Sequence, residues 1–193
     1  MTGRRERNHQ ELINRLAETA WTLFEAQGFD QVTMEAVAAA ADVAKATLYK
    51  HFPVKEALLQ HHFHRQLDAE QGGILSRLEQ LPTTRERLHA FFALSAEWSE
   101  EHRVYLPHYL HFRMSSAGAG QRSGTDRIFS WIIEAGLQNR DLRQTLPPQE
   151  AVHYLSFLYL GVLLRWLNTP GLSLADEFER MLNIYLDGTE NRA

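Results

Sequence analysis

The chain has 193 residues, of which 44% are hydrophobic and 23% are charged, and its formal net charge is -4. These values are typical of a folded globular protein and exclude an intrinsically disordered chain. The sequence contains no cysteine, so disulfide bonds, thiolate metal sites and cysteine nucleophiles are excluded as well. The length suits one sizeable domain or a small domain fused to a larger one.

The sequence offers neither a membrane span nor a secretory signal. No apolar run approaches the length needed to cross a bilayer. The first residues, MTGRRERNHQ, lack the apolar core of a signal peptide. We therefore expect a cytoplasmic protein that has no membrane partner.

Positive charge is concentrated near the N-terminus, although the whole chain is acidic. Residues 1 to 15 contain four Arg against two Glu, and residues 45 to 55 contain three Lys and no acidic residue. A local basic face matters more for nucleic-acid binding than the total charge when the rest of the chain has another task.

The N-terminal segment predicts two helices that lead into a tight turn. After a loose polar tail, apolar residues at three- and four-residue steps predict a helix over residues 9 to 27, which Gly28 ends. Thr33 is a suitable N-cap for a second helix over residues 34 to 41, whose alanines allow close helix packing. Asp42 is expected to take a left-handed backbone in the turn that follows.

The next helix, predicted over residues 45 to 52, presents side chains suited to DNA contacts. Lysine donates to guanine acceptors, and the methyl group of Thr47 can contact thymine. Tyr49 is placed to hydrogen-bond a phosphate. Pro53 ends this helix, and Lys55 lies in the first turn of the following one, where lysine and backbone amides together bind phosphate. A single lysine or threonine is more often a solvated surface residue, but the whole set favours a DNA-reading helix-turn-helix.

A specific set of residues runs through this segment. The set is Thr33, Val37-Ala38, Ala41, Val43, Leu48-Tyr49, His51-Phe52 and Lys55-Glu56-Ala57-Leu58-Leu59. It resembles the head of the TetR (tetracycline repressor) family of bacterial transcriptional regulators. The resemblance implies an all-α homodimer with a DNA-binding head over residues 1 to 53, a linker helix over about 54 to 81, and a ligand-binding and dimerisation domain over 82 to 193.

The resemblance also implies which residues contact DNA. Carried over to matching positions, these are Thr33, Lys45, Thr47, Tyr49, His51 and Lys55, and Lys50 is added for its charge and expected exposure. The head departs from the family at Asp42 and Ala46, where the family often has Gly, and at Ala44, where it often has Ser. Without that serine the recognition helix, residues 45 to 52, lacks its usual hydroxyl cap, which Asp42 is a candidate to replace in part.

The predicted linker helix raises two further questions. Paired glycines weaken a helix interior, so Gly72-Gly73 is a candidate bend. His61, His62 and His64 have the spacing of a helical metal site, but no carboxylate lies at a complementary position. A solvated histidine face is therefore favoured over a metal site.

Aromatic residues dominate the helices predicted over residues 84 to 101, 102 to 115 and 123 to 139. Core packing explains most of them, but histidines in the same stretch need polar partners if they are buried. Aromatic walls with a few polar groups are typical of a ligand pocket. The predicted ligand-binding residues are Trp98, Tyr105, His108, Tyr109, Phe112 and Trp131. The glycine-rich segment 115 to 124 is a candidate flexible loop at the entrance.

Two C-terminal helices predict a dimer interface. The helix over residues 149 to 168 follows Pro147-Pro148 and is apolar nearly all round, so it must be buried on all sides. Ser173 caps the last helix, which Gly188 ends. The predicted interface residues are Leu155, Leu158, Tyr159, Val162, Trp166, Phe178, Leu182 and Tyr185. An intrachain core is the alternative reading of these apolar residues.

Together these features predict a ligand-responsive transcriptional regulator, most simply a repressor. A dimer of heads would bind a pseudo-palindromic double-stranded DNA operator, and a small apolar or aromatic effector would release it. An enzyme is not expected, because HExxH, GxSxG and phosphate-binding glycine motifs are absent from the sequence, and no cofactor is expected either. The alternatives are a ligand-independent DNA-binding dimer and a histidine-dependent helical metalloenzyme.

Overall fold

The computed structural model describes residues 3–115, 124–143 and 146–189, and nearly all of these residues are helical. No strand occurs within these ranges, which agrees with the predicted all-α class. The elements are α1 (Arg4–Gln27), a 3₁₀ turn (Phe29–Gln31), α2 (Met34–Ala40), α3 (Lys45–His51), α4 (Lys55–Glu79), α5 (Thr84–Glu101), α6 (Leu106–Ser115), α7 (Gly124–Asn139), α8 (Pro148–Asn168) and α9 (Leu174–Thr189).

Most predicted helix ends are correct, but two starts are wrong. α1 begins at Arg4, so the polar tail is largely helical, as its Arg and Glu residues favour. α6 begins at Leu106 and not at residue 102, because Pro107 has no backbone N–H and is tolerated only in the first turn of a helix. α4 continues as an α-helix through Gly72-Gly73. Of the predicted entrance loop over residues 115 to 124, Ser115 ends α6 and Gly124 begins α7, and the remaining residues, 116 to 123, lie outside the described residues.

Capping side chains fix the predicted helix starts. The hydroxyl of Thr33 accepts a hydrogen bond from the backbone N–H of Ala36 at 3.2 Å, and the hydroxyl of Ser173 accepts one from that of Asp176 at 3.3 Å. Gly28, with φ of 84°, ends α1 in the left-handed region. None of the described helices is both long and apolar enough to cross a membrane.

The described residues form two units. The head unit consists of residues 3–66 and 105–115, and the body unit of residues 67–104, 124–143 and 146–189. In the head unit, α1 contacts α2 and α2 contacts α3. Its core includes Leu16 of α1, Val37 of α2 and Leu48 of α3, each fully buried.

The body unit is held together by aromatic packing between its helices. Phe92 of α5 stacks on Phe129 of α7 with ring centroids 5.6 Å apart. Tyr159 of α8 stacks on Phe178 of α9 at 5.4 Å. Each of these rings removes a large apolar area from water, so the four helices form one continuous core.

A polar clamp joins the start of α5 to the end of α7. The backbone N–H and the hydroxyl of Thr84 donate to the carboxylate of Asp141 at 2.5 and 2.9 Å. The carbonyl of Gly136 accepts hydrogen bonds from the backbone N–H groups of Asp141 and Leu142. Gly136 is required here because a Cβ atom would lie against the Thr84 hydroxyl and 2.8 Å from Cδ1 of Leu142.

We expect the substitution Gly136→Ala to destabilise the protein. Thr84 is 1% exposed and tied to Asp141, so it cannot move aside, and overpacking of this kind costs about 1–3 kcal/mol. The matched control is Gly73→Ala, where a Cβ meets no atom within 4 Å. It should stabilise α4 by up to about 1 kcal/mol. Urea unfolding of both variants measures the difference, and equal stability of the two would contradict the clamp.

Candidate nucleic-acid interface and ligand cavity

The recognition helix α3 is held by one buried side chain and exposes its other face. Leu48 is fully buried, whereas Tyr49 and Lys50 are exposed. Asp42 has a φ of 52°, which confirms the left-handed turn before α3. Ala44 is the N-cap of α3, and no side chain accepts a hydrogen bond there. The prediction that Asp42 partly replaces the missing serine hydroxyl is therefore wrong. Asp42 instead forms the left-handed turn before α3.

Lys45, the first residue of α3, is paired with an acidic residue of α2. Its ammonium group forms an ion pair with the carboxylate of Glu35 and lies 5.7 Å from the centre of the Tyr49 ring. The hydrogen bond to Lys45 lowers the pKa of Glu35, and the same bond raises the pKa of Lys45. Both groups are charged at neutral pH and cancel each other locally. The sequence places these opposite charges on two successive helices, but their pairing depends on how the fold places those helices, so Glu35 is not among the predicted contacts.

Lys55, at the start of α4, is bound by backbone carbonyls of the head unit. Its ammonium group donates to the carbonyl oxygens of Phe29 at 2.8 Å, Asp30 at 3.4 Å and Val32 at 3.4 Å, and it lies 4.4 Å from the centre of the Phe29 ring. These contacts fasten α4 to the 3₁₀ turn before α2. Lys55 thus has a structural role that the sequence did not indicate, and its contact with phosphate stays a prediction.

His51 packs its ring edge-on against that of His9 of α1, with centroids 4.9 Å apart. Partial burial, and then the neighbouring His9 and Lys50, lower the pKa of His51. A neutral imidazole both donates and accepts hydrogen bonds. His51 therefore offers DNA a polar group and no full positive charge at pH 7.

The remaining candidate DNA contacts differ in their exposure and in the hydrogen bonds that they already make. Thr33 is exposed at the start of α2, although its hydroxyl also caps that helix. Thr47 is half-buried on α3. Lys50 makes no hydrogen bond or ion pair among the residues that the structure describes. All seven candidates lie in the head unit, and Lys50 carries the cation that is most available to a phosphate or a base.

The histidines of α4 do not form a solvated face. His62 is only 6% exposed and stacks on Trp21 with ring centroids 4.4 Å apart. Nε2 of His61 lies 3.0 Å from the side-chain oxygen of Asn14, and Nε2 of His64 lies 3.2 Å from the hydroxyl of Tyr109. Nowhere in the described ranges do three His, Asp or Glu side chains come together as a metal site. The prediction of a solvated face fails because α4 packs these rings inside the head unit.

Four of the six predicted ligand residues lie in α6 or just before it, in the head unit. Tyr105 packs against Trp21 at 4.8 Å between ring centroids, and burial raises the pKa of its hydroxyl. His108 stacks on Phe29 at 4.1 Å. Tyr109 is buried and Phe112 is half-buried. The contacts of Tyr105 and His108 tie α6 to α1 and to the 3₁₀ turn.

The other two predicted ligand residues lie in the body unit. Trp98 stacks on His102 at 4.3 Å between ring centroids. The guanidinium group of Arg87 lies 5.4 Å from the centre of the Trp131 ring, and Arg87 also donates to the carbonyl of Leu81 at 2.9 Å. Both indole rings thus have polar or cationic neighbours. A role in ligand binding stays a prediction for all six residues.

A cleft of about 300 Å³ opens in the body unit at a different place. Its lining comes from α7, the connector after it, α8 and α9, namely Ile133, Leu137, Leu142, Arg143, Leu146, Pro148, Ala151, Tyr154 and Tyr185. Burial raises the pKa of Tyr185 to about 12, and its hydroxyl donates to the carbonyl of Ala151 at 3.4 Å. The segment between α7 and α8 contributes Leu142 and Leu146 to this lining, and these two leucines in an otherwise polar stretch are the signal in the sequence that could have indicated the cleft.

Half of the predicted dimer residues are corrected by the structure. Leu155, Trp166, Phe178 and Leu182 are at most 1% exposed within the single chain, so they belong to the intrachain core and cannot meet a partner. Within the single chain α8 is buried on one side only, and its predicted burial against a second subunit stays a prediction. The large apolar side chains exposed on α8 and α9 are Tyr154, Phe157, Leu158 and Ile184. Of the other predicted residues, Leu158 is exposed, and Tyr159, Val162 and Tyr185 are half-buried.

Residues 16–61 match the family model described as bacterial regulatory proteins, tetR family. The chain is 26% identical over 185 residues to the HTH-type transcriptional repressor KstR2 of Rhodococcus jostii (strain RHA1), covering 90% of this chain and 88% of that protein. It is 25% identical to FadR of Thermus thermophilus, a transcriptional repressor solved with lauroyl-CoA, at a TM-score of 0.80 and a coverage of 94% and 96%. The fold is also that of FadR from Bacillus subtilis, at 16% identity, a TM-score of 0.62 and a coverage of 90% and 97%.

We expect Lys55 and Lys50 of the head unit to differ in their contribution to stability. Lys55→Met removes a cation that is bound by three carbonyls, so we expect a loss of about 1–2 kcal/mol in the free energy of unfolding. Lys50→Met, its matched control, removes a lysine without a bond in the described chain and should change stability by less than about 0.5 kcal/mol. Urea unfolding followed by circular dichroism measures both. Equal losses would show that the carbonyl contacts of Lys55 do not stabilise the head unit.

Proposed function

We propose that this chain, which belongs to the TetR family of bacterial transcriptional regulators, is a repressor. It binds a pseudo-palindromic DNA operator as a homodimer. It dissociates from the operator when a small apolar effector binds. The observation that carries the proposal is the recognition helix itself. α3 turns Tyr49 and Lys50 outward on a buried Leu48, directly after the tight turn at Asp42. Repression is the mode of the two relatives named above for which a mode is given.

Base and phosphate contacts are assigned by chemistry. Lys50 and Thr47 lie on α3 and are suited to base edges in the major groove, where lysine donates to guanine and a methyl group meets thymine. Thr33 and Tyr49 carry hydroxyls that donate to phosphate oxygens and fix the position of the helix. His51 adds a neutral donor and acceptor. Lys45 is neutralised by Glu35 until that ion pair breaks, whereas Lys55 keeps its charge but can contact a phosphate directly only by leaving its backbone carbonyls.

The dimer is assigned to the exposed apolar side chains of α8 and α9. Phe157 and Ile184 are 72% and 77% exposed, and large exposed apolar residues close together are typical of interaction surfaces. Burial against a second copy would stabilise such side chains by roughly 1.5–3 kcal/mol each. One seven-residue recognition helix reaches few base pairs, so two copies are needed to read an operator specifically.

The effector is assigned to the body unit. A relative that shares the fold along most of the chain was solved with lauroyl-CoA, which supports an amphipathic molecule with a long apolar part. The chain offers two places for it, the cleft lined by Ala151 and Tyr185 and the surroundings of Trp98. Release of the operator requires that the effector binds the conformation unsuited to the operator more tightly than the other.

The alternatives have less support. A histidine-dependent metalloenzyme is disfavoured, because the family and its relatives are transcriptional regulators. A DNA-binding dimer without a ligand would need no cleft in its body unit, whereas one of about 300 Å³ is present. That volume is at the lower end of the range for ligand pockets, roughly 300–1,000 Å³.

Selection from a random-sequence duplex library tests the DNA-binding function. The wild-type protein should enrich sequences with two half-sites related by two-fold symmetry, about one helical turn apart. Phe157→Glu places a charge on the proposed dimer surface and should give a monomer in sedimentation experiments. That monomer should lose most of the affinity for the enriched duplex.

The matched control for the dimer is Val104→Glu. Val104 is 70% exposed and lies outside α8 and α9, so this variant should stay dimeric and bind as the wild type does. Enrichment of no sequence at all by the wild-type protein would contradict the DNA-binding function. A dimeric Phe157→Glu variant would contradict only the assignment of the interface.

Titration with lauroyl-CoA tests the effector. It should dissociate the protein from the enriched duplex, whereas coenzyme A alone should not, because the apolar chain supplies the binding energy. Ala151→Phe fills the cleft, and Trp98→Ala removes the indole ring from the other candidate site. The effector site is the one whose variant needs at least about tenfold more lauroyl-CoA to dissociate from the duplex. That factor corresponds to roughly 1.4 kcal/mol of binding free energy. If both variants respond as the wild type does, neither place holds this effector.

A further inference from the structure

We propose that Glu35 competes with DNA phosphates for Lys45, so that the free protein keeps one cation of each recognition helix neutralised until a phosphate displaces the carboxylate. This inference rests on the proposed DNA-binding function. It assigns a role to an acidic residue that sits among the candidate phosphate contacts, two positions after Thr33 in the first turn of α2.

The geometry places both charges where DNA would lie. The side chains of Lys45 and Glu35 are 59% and 52% exposed while they form their ion pair. Lys45 is the first residue of α3 and stands one turn before Tyr49, whose ring it faces at 5.7 Å. Lys45 therefore lies on the same side of α3 as Tyr49, a candidate phosphate contact. In the free protein its positive charge is neutralised by Glu35.

The pair is suited to exchange. An exposed ion pair contributes little to stability, because water screens it and two flexible side chains must be held in one geometry. A phosphate offers Lys45 a charged acceptor comparable to a carboxylate, and counterion release from DNA favours the exchange. In the free protein the hydrogen bond to Lys45 lowers the pKa of Glu35, which marks the pair as the state that DNA must disrupt. Once displaced, the carboxylate of Glu35 repels nearby phosphates.

The three lysines of the chain, all within residues 45–55, differ in this respect. Lys55 is held by neutral carbonyls, which keep its positive charge uncompensated. Lys50 has no ion pair among the described residues. Lys45 alone of the three is paired with a carboxylate in the described chain. Glu35 therefore lowers the affinity of the protein for every DNA duplex. Discrimination between the operator and other sequences then depends on base contacts that only the operator provides.

Fluorescence anisotropy with a labelled mixed-sequence duplex tests the competition, because phosphate contacts do not depend on sequence. Glu35→Gln should bind several-fold more tightly than the wild type at low salt. Because Lys45 contacts a phosphate in both complexes, the slope of log affinity against log salt should be nearly the same for the two proteins. The variant Lys45→Gln should abolish the gain in affinity when it is combined with Glu35→Gln. On the wild-type background it should make the slope shallower by about 0.9, or about 1.8 when both heads of a dimer contact the duplex.

A matched control separates the local effect from a change of net charge. Glu150 lies in the first turn of α8, so Glu150→Gln removes the same charge from the same helical position outside the head unit. It should leave affinity and salt slope unchanged. Thermal unfolding checks that Glu35→Gln is folded, and Glu35→Ser provides a second variant with the same expected result.

Three results would overturn the inference. Weaker binding by Glu35→Gln would mean that Glu35 orients Lys45 for DNA and does not compete with it. A salt slope of Lys45→Gln equal to that of the wild type would mean that Lys45 is not released to a phosphate. An equal gain in Glu150→Gln would mean that net charge alone is responsible. In each case the wild type still binds, whereas a wild type that binds no duplex at any salt concentration would overturn the DNA-binding function itself.

Discussion

The DNA-reading surface depends on the burial of Val37 and Leu48, because the two helices that carry it are too short to stand alone. α2 and α3 have seven residues each, and isolated helices of that length are unstable in water. Both side chains are fully buried in the head unit, which stabilises the fold by roughly 1.5–3 kcal/mol for each. Tyr49 and Lys50 are held outward only while Leu48 holds the other face of α3 inward.

The positive charge of the head is set by the partners of its lysines more than by their number. Lys45 faces a carboxylate, Lys55 is surrounded by carbonyls, and Lys50 has no ion pair among the described residues. A net charge of -4 opposes binding to DNA at long range, so short-range contacts must supply the attraction. Under the proposed DNA contacts, the free energy of releasing Lys45 and Lys55 from these partners would become part of the affinity for DNA.

Structural features that depend on neighbouring residues are predicted from the sequence, whereas features that depend on packing between helices are not. Helix periodicity, the caps at Thr33 and Ser173 and the left-handed Asp42 follow from neighbouring residues, and the structure confirms them. The burial of Leu155 and the exposure of Phe157 do not follow from the sequence, because an apolar residue has the same hydropathy in a core and at an interface. The ion pair of Lys45 was equally hidden, since it joins two helices whose relative placement only the fold defines.

The apolar residues of α8 divide between two surfaces, and this division links the C-terminus to DNA specificity. Leu155 and Trp166 fill the intrachain core, while Phe157 and Leu158 remain exposed. A helix with apolar residues all round is explained only if each side has an apolar neighbour. The chain supplies one neighbour, and in the proposed dimer a second copy supplies the other. Since one α3 reaches too few base pairs to define an operator, the side chains that bring two copies together in that dimer would also decide how specifically the heads read DNA.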